Sequence, residues 1–303
     1  MRRMLLISMC AILTSLGPAF SQGMTLAGTG YSDPSIIRVA PGQITTLFVT
    51  GLKTVLSSPQ TATRLPLPTT LGGIAVTLNQ SGQQSSVPLL SVQQMSVCGN
   101  GGAPPPASGL TADCFITAIT VQIPFELVLP GGDKTFGVTE LAVSENGNMS
   151  KSFRILPITD NLHVLTTCDV FPSPHLISVS DPIPSAAPFC VALVTHGGGT
   201  LVTANDPAKP GEEIVIWAFG LGPTSPAVKT GAATPAPAPA LANGTAIVQF
   251  DFRPNAGPAR PYINPLIMAP FFPGAIFAGL TPGEVGLYQI NVRIPETVPP
   301  LTS

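Results

Sequence analysis

The motif I-x-V-x-I-P occurs twice in this chain, at Ile119–Pro124 and at Ile290–Pro295. In the second instance Tyr288, Ile290, Val292 and Ile294 alternate with Gln289, Asn291 and Arg293. In the first, Ile119, Val121 and Ile123 alternate with Ala118, Thr120 and Gln122. A period of two is the mark of a strand with one apolar and one polar face. Pro124 and Pro295 end the two strands, because proline cannot donate to a central ladder. A second pair of motifs precedes them in the same order. Pro41-Gly42, an apolar strand over Gln43–Thr50 and Gly51-Leu52 match Pro210-Gly211, Glu212–Phe219 and Gly220-Leu221. Phe48 aligns with Trp217 and Leu47 with Ile216. The offset is 169 positions from Gly42 to Gly211 and 171 from Pro124 to Pro295. Two ordered motifs at nearly constant spacing predict a tandem duplication.

Both copies continue through a Pro-rich connection, Ser57–Thr70 and Pro223–Pro239, into a strand at Gly72–Leu78 or Gly244–Phe252. A loop-rich region follows in each, carrying Ser86–Val97 in the first and spanning Arg253–Pro282 in the second. Gln22–Pro34 reads as a polar lead-in and Ser35–Ala40 as a short strand. The first copy closes with strands at Thr135–Val143 and Ser150–Pro157 around Asn146-Gly147, a pair that tolerates positive φ and favours a tight hairpin. The second unit opens with strands at His163–Thr167 and Phe189–Thr195, a turn at Gly197–Gly199 and a strand at Thr200–Thr203. Only eight residues follow Pro295, so the second copy is expected to lack the closing hairpin of the first. The expected divisions are a signal peptide over 1–21, one sandwich over 22–159 and a second over 160–303.

Composition agrees with an all-β chain. The 35 prolines and 30 glycines supply turns, and helical periodicity is absent. Charged residues are only 9% of the chain. Arg2 and Arg3, the apolar run Met4–Leu16 and the small residues Ala19 and Ser21 form a secretory signal with cleavage before Gln22. The run is too short for a comfortable membrane span, and no second stretch reaches that length. The mature chain carries 11 basic and 15 acidic residues, a net charge of −4, with no basic cluster for nucleic acid. The expected location is secreted, cell-surface or periplasmic.

Four cysteines remain after cleavage: Cys98, Cys114, Cys168 and Cys190. An even count in an exported chain implies two disulfides, with three pairings open. The local pairs Cys98–Cys114 and Cys168–Cys190 are expected, since each lies within one unit. No C-x-x-C spacing is present, and His163 and His196 complete no recognisable metal set.

Two blocks carry a family likeness: Asn205–Pro223, NDPAKPGEEIVIWAFGLGP, and Ala278–Pro295, AGLTPGEVGLYQINVRIP. They resemble the uncharacterised C-terminal domain family of secreted acidobacterial (Solibacter-type) proteins. The likeness covers Leu162–Pro295, and Gln22–Thr159 resembles a diverged copy. It implies an exported immunoglobulin-like β-sandwich, with no activity, cofactor or metal to carry over. Its motif residues would then be architectural: Pro41, Gly42, Gly51 and Pro124 in the first copy, and Pro210, Gly211, Trp217, Gly220, Tyr288, Ile290, Val292, Ile294 and Pro295 in the second.

Catalytic constellations are thin. The three histidines are His163, His175 and His196, and no G-x-S-x-G elbow accompanies them. Glu212 and Glu213 are adjacent at a strand start and point to opposite faces. Trp217, Tyr288, Phe271 and Phe272 are candidates for a sugar platform, but Trp217 and Tyr288 read better as core. Phe271 and Phe272 are adjacent, so one of them faces away from a core. The expected function is a non-catalytic structural or adhesive role through loops or sheet edges, with an extracellular protein or polysaccharide as partner. A carbohydrate-binding module is the alternative, and a secreted hydrolase ranks third.

Overall fold

The computed structural model describes residues 25–28, 37–96, 115–129, 139–166, 169, 192–242, 246–248 and 274–296. The expected signal segment, all four mature cysteines, His175 and the Phe271–Phe272 pair lie outside the described residues. Across the described residues the protein is all-β, with strands in sandwich-like layers.

The first half contains eleven strands: β1 (Thr25–Gly28), β2 (Ile37–Val39), β3 (Ile44–Thr50), β4 (Gln60–Thr61), β5 (Thr70–Leu71), β6 (Ile74–Gln80), β7 (Gln83–Val87), β8 (Leu89–Ser96), β9 (Phe115–Gln122), β10 (Thr139–Glu145) and β11 (Asn148–Pro157). One sheet has the order β1-β3-β9-β8-β4 and the other β2-β11-β10-β6-β5, with β7 also on β6. The core lies between them. Leu47, Val49, Ile119 and Val121 from the first sheet meet Val76, Leu78, Leu141 and Val143 from the second. These are the alternate residues that the period-two pattern assigns to the inner face. Asn146 and Gly147 both take positive φ, 49° and 79°, in the tight turn from β10 to β11. That hairpin joins the opposite sheet from β9, so the first half closes as a sandwich.

Three stretches depart from the sequence reading. Within Ser86–Val97, residues 86–96 are not loop but hold the end of β7 and all of β8. A bulge between Leu89 and Ser91 shifts the register and buries both Leu89 and Leu90, which hides the alternation. The polar lead-in contains β1, and the second loop-rich region ends in a strand at Phe277–Leu280. Both are four residues long, too short to show a period.

The second half contains β12 (His163–Val164), β13 (Val194–His196), β14 (Glu213–Phe219), β15 (Thr224–Ser225), β16 (Ala240–Leu241), β17 (Phe277–Leu280) and β18 (Tyr288–Arg293). They form one sheet, β12-β14-β18-β17-β16-β15, with β13 also on β14. The hairpin expected after β13 is reduced to a bridge between Thr195 and Leu201. Of the strand expected at Gly244–Phe252, residues 246–248 are described, and Ile247 bridges to Gly274.

This sheet repeats the β1-β3-β9-β8-β4 sheet strand by strand, as β12-β14-β18-β17-β16. The registers coincide. Ile44 opposes Gln122, and Glu213, at the equivalent position, opposes Arg293, the equivalent of Gln122. Thr50 opposes Thr25 as Phe219 opposes His163. The turns match bond for bond. Gly42 N–H donates to Ile123 O at 3.0 Å, and Gly211 N–H to Ile294 O at 3.0 Å. Gln43 Oε1 accepts from Ala40 N–H at 2.8 Å, and Glu212 Oε2 from Lys209 N–H at 2.8 Å. Gly42 and Gly211 hold φ of 73° and 78°, a backbone that L side chains rarely adopt. The duplication read from two motifs is thus a duplicated sheet, down to individual hydrogen bonds.

Candidate functional site

The two halves are not separate beads. Each repeated sheet has a lower end, at its Pro-Gly turn, and an upper end, at Gly51 or Gly220. The lower end of the first half packs on the upper end of the second. Ile44 and Leu90 join Leu165, Leu193, Phe219 and Leu287 in one buried cluster. Phe125 packs against a second cluster made by Val228, Leu280 and Tyr288. Polar groups stitch the rim. Gly231 N–H donates to Gln122 Oε1 at 2.7 Å, and Leu67 N–H donates to Gly231 O at 2.8 Å. Phe125 N–H donates to the Thr230 hydroxyl at 2.9 Å, and that hydroxyl donates to Glu126. Asn161 Nδ2 reaches Arg38 O at 3.1 Å and Gln43 Oε1 at 3.3 Å.

The seam lies on the face that alternation calls polar. Gln122 and Thr120 belong to the outer face of the first sheet, yet they are 0% and 4% exposed. The second half covers that face at its lower end. The one signal of this in the sequence is the apolar pair Ile44 and Phe125 flanking an otherwise polar set.

The titratable clusters lie elsewhere. His196 ends β13 and is held from both sides. Its Nδ1 meets Glu212 Oε1, and its Nε2 lies 3.4 Å from Asp206 Oδ2 and 3.2 Å from Asp206 O. The hydrogen bond with Glu212 pushes the His196 pKa up, outweighing its partial burial. Glu212 is pulled down by the Lys209 N–H and then by His196. Its neighbour Glu213 accepts from Asn291 on β18 at 2.9 Å, on the opposite side of the strand. His163 starts β12, and its Nε2 lies 2.9 Å from Asp169 Oδ1. Asp169 Oδ2 accepts from the Thr166 N–H at 2.6 Å and its hydroxyl at 2.8 Å. Burial pushes the Asp169 carboxyl up, but the His163 and Thr166 bonds outweigh it and hold the pKa down.

These are His–carboxylate pairs, the supporting half of a nucleophilic triad. The other half is not at His196, whose second nitrogen faces Asp206 rather than a hydroxyl or thiol. Among the described residues no group of three or more His, Cys, Asp or Glu is placed to hold a metal.

The two aromatics differ in exposure. Tyr288 is fully buried, its hydroxyl donates to Gly222 O, and burial drives its pKa far up. Trp217 is half-buried against the seam cluster, with its indole N–H donating to Thr195 Oγ1 at 3.2 Å. Ile290 and Val292 are buried and Ile294 is partly buried, and Pro41, Gly42 and Pro124 are buried around the first Pro-Gly turn. Among the described residues no helix is long and apolar enough to cross a membrane. No family model, no curated protein and no solved structure matches the chain.

Proposed function

We propose that the chain is an exported, non-catalytic structural or adhesive protein built from two immunoglobulin-like repeats fused through their ends. The observation that supports this best is the burial of the seam, which fixes the two repeats against each other. Stiff spacing between binding surfaces is what such a role requires. Among the described residues the two histidines hold loops: His196 fastens the 197–212 turn region, and His163 with Asp169 fastens the end of β12. Partners then meet the protein through loops and edges, such as the exposed edge strand β7 and the connection around Val55 and Leu65. The partner is an extracellular protein or polysaccharide.

Expression with the leader tests the reading. The protein should be recovered outside the cytoplasm, begin at Gln22 and co-sediment with cell-surface or matrix polymer. Turnover of ester, peptide or glycoside substrates that drops in His196→Gln or His163→Gln would refute the non-catalytic reading.

A further inference from the structure

The seam is directional: it joins a lower end to an upper end. A contact of that kind repeats without limit unless the remaining ends are altered. The duplication allows the seam residues in the matched motifs to be compared with their counterparts at the opposite end. At the lower end of the first repeat the seam uses Gln43, Ile44, Gln122 and Phe125. The same positions in the second repeat hold Glu212, Glu213, Arg293 and Glu296. The equivalence of the last pair is structural as well as numerical. A Cβ on Gly42 would meet the Phe125 ring, and a Cβ on Gly211 would meet Glu296 Cγ at 3.6 Å. Arg293 and Glu296 are exposed.

The upper ends differ in the same sense. The seam uses Phe219, Gly222, Gly286 and Leu287 of the second repeat. The first repeat has Thr50, Lys53, Phe115 and Ile116 there. The two glycines are needed for close approach. A Cβ on Gly286 would stand 2.8 Å from Gly42 O and 2.8 Å from Ile44 Cδ1, and a Cβ on Gly222 would stand 2.3 Å from Thr159 O. Phe115 and Lys53 at those positions forbid the same fit.

We infer that the seam is a directional repeat-to-repeat interface, and that Glu212, Glu213, Arg293 and Glu296 form a charged cap that refuses a further repeat or a second copy of this chain. Arg293 and Glu296 are exposed, and burying them in such a seam would strip them of water, which is strongly unfavourable.

Three forms of the full chain test this. The natural protein should sediment as a monomer at all concentrations. In Ile44→Glu/Gln122→Arg/Phe125→Glu the cap's side chains stand in the seam. The repeats should separate, so the largest dimension in small-angle scattering grows and the 158–162 junction becomes cleavable, while the β-sheet circular dichroism persists. In Lys53→Gly/Phe115→Gly/Glu213→Ile/Arg293→Gln/Glu296→Phe the cap and the block at the first repeat's upper end are both gone, and sedimentation should become concentration-dependent. Unchanged dimensions and protection in the first variant, or a monomeric second variant with native circular dichroism, would overturn the inference. So would a natural chain that associates through these ends in cross-linking. If either variant fails to fold, the other variant and the natural chain's sedimentation still decide.

Discussion

Replacing Ile44 by alanine measures the seam directly. Ile44 is 0% exposed, although it lies on the outer face of its own sheet. In an isolated first repeat that side chain would face water, and its truncation would cost little. In the packed pair the substitution removes three buried carbons, at about 0.8 kcal/mol each, or roughly 2.4 kcal/mol. The walls of the resulting void include the Gly286 backbone, which is fixed by its turn and cannot collapse inward. A residual cavity therefore raises the loss to about 3–4 kcal/mol. At about 2–4 °C per kcal/mol for domains of comparable size, the melting temperature should fall by about 6–16 °C. Scanning calorimetry and urea melts would read this, with Leu287→Ala as the partner across the seam. Because the two side chains share one cluster, a double-mutant cycle should show coupling of at least about 0.5 kcal/mol. Val76→Ala, inside the first sandwich, serves as a control and should be additive with Leu287→Ala. A loss below about 1 kcal/mol for Ile44→Ala, or additivity with Leu287→Ala, would refute the claim that the two repeats share a packed interior.

Other perturbations address single features. The His196 pKa lies above its ordinary value of 6.5, so its contribution to stability is full below pH 6.5 and is lost as pH rises through the folded value. The Glu212 pKa lies below its ordinary 4.5, so its contribution is full above pH 4.5 and is lost as pH falls through the folded value. The stability difference between the natural chain and His196→Gln should therefore peak between pH 4.5 and 6.5, as read by melting across the pH range; a flat difference would contradict the clasp. Tyr288→Phe strips a buried carbonyl, Gly222 O, of its donor and should cost about 1–3 kcal/mol in urea melts. The Thr166–Ala192 bridge holds together the two flanks of the segment that contains Cys168 and Cys190. Non-reducing peptide mapping should recover these two cysteines as one linked pair, and reduction should cost about 3 kcal/mol in the chain-entropy account.

Much of the architecture was legible because it rests on period and punctuation. The alternation in Ile290–Ile294 assigns three residues to one face, and two of them, Ile290 and Val292, are buried in the structure. Asn146-Gly147 marked a tight turn, and the turn is there because both residues accept positive φ. Pro41-Gly42 and Pro210-Gly211 marked equivalent turns whose hydrogen bonds now superpose. What escaped was whatever breaks period two or depends on a distant surface. The bulge at Leu89–Ser91 hid β8. The committed states of His163 and His196 depend on Asp169 on one side and on Asp206 and Glu212 on the other, and no spacing rule foretells which acid a turn will bring round.

The seam shows why alternation alone misjudges a duplicated fold. Period two labels Gln122 as outward, and within its own sheet that is correct. Whether an outward residue meets water is decided by the neighbouring repeat, which a local pattern cannot contain. The duplication supplies the missing comparison. Two copies of one sheet share registers and turn bonds, so positions that differ between them are released from the demands of the fold. Ile44 against Glu213 and Phe125 against Glu296 differ in this way, and so do Gly222 against Lys53 and Gly286 against Phe115. In each pair the apolar or small residue is in the seam and the charged or bulky one is at the unused end. A fold requirement would have kept the pairs alike, and unselected drift would have scattered the charges over both ends. The bias of these four pairs fits the charged cap inferred above, while the rim of the seam keeps one charge of its own in Glu126, held by the Thr230 hydroxyl.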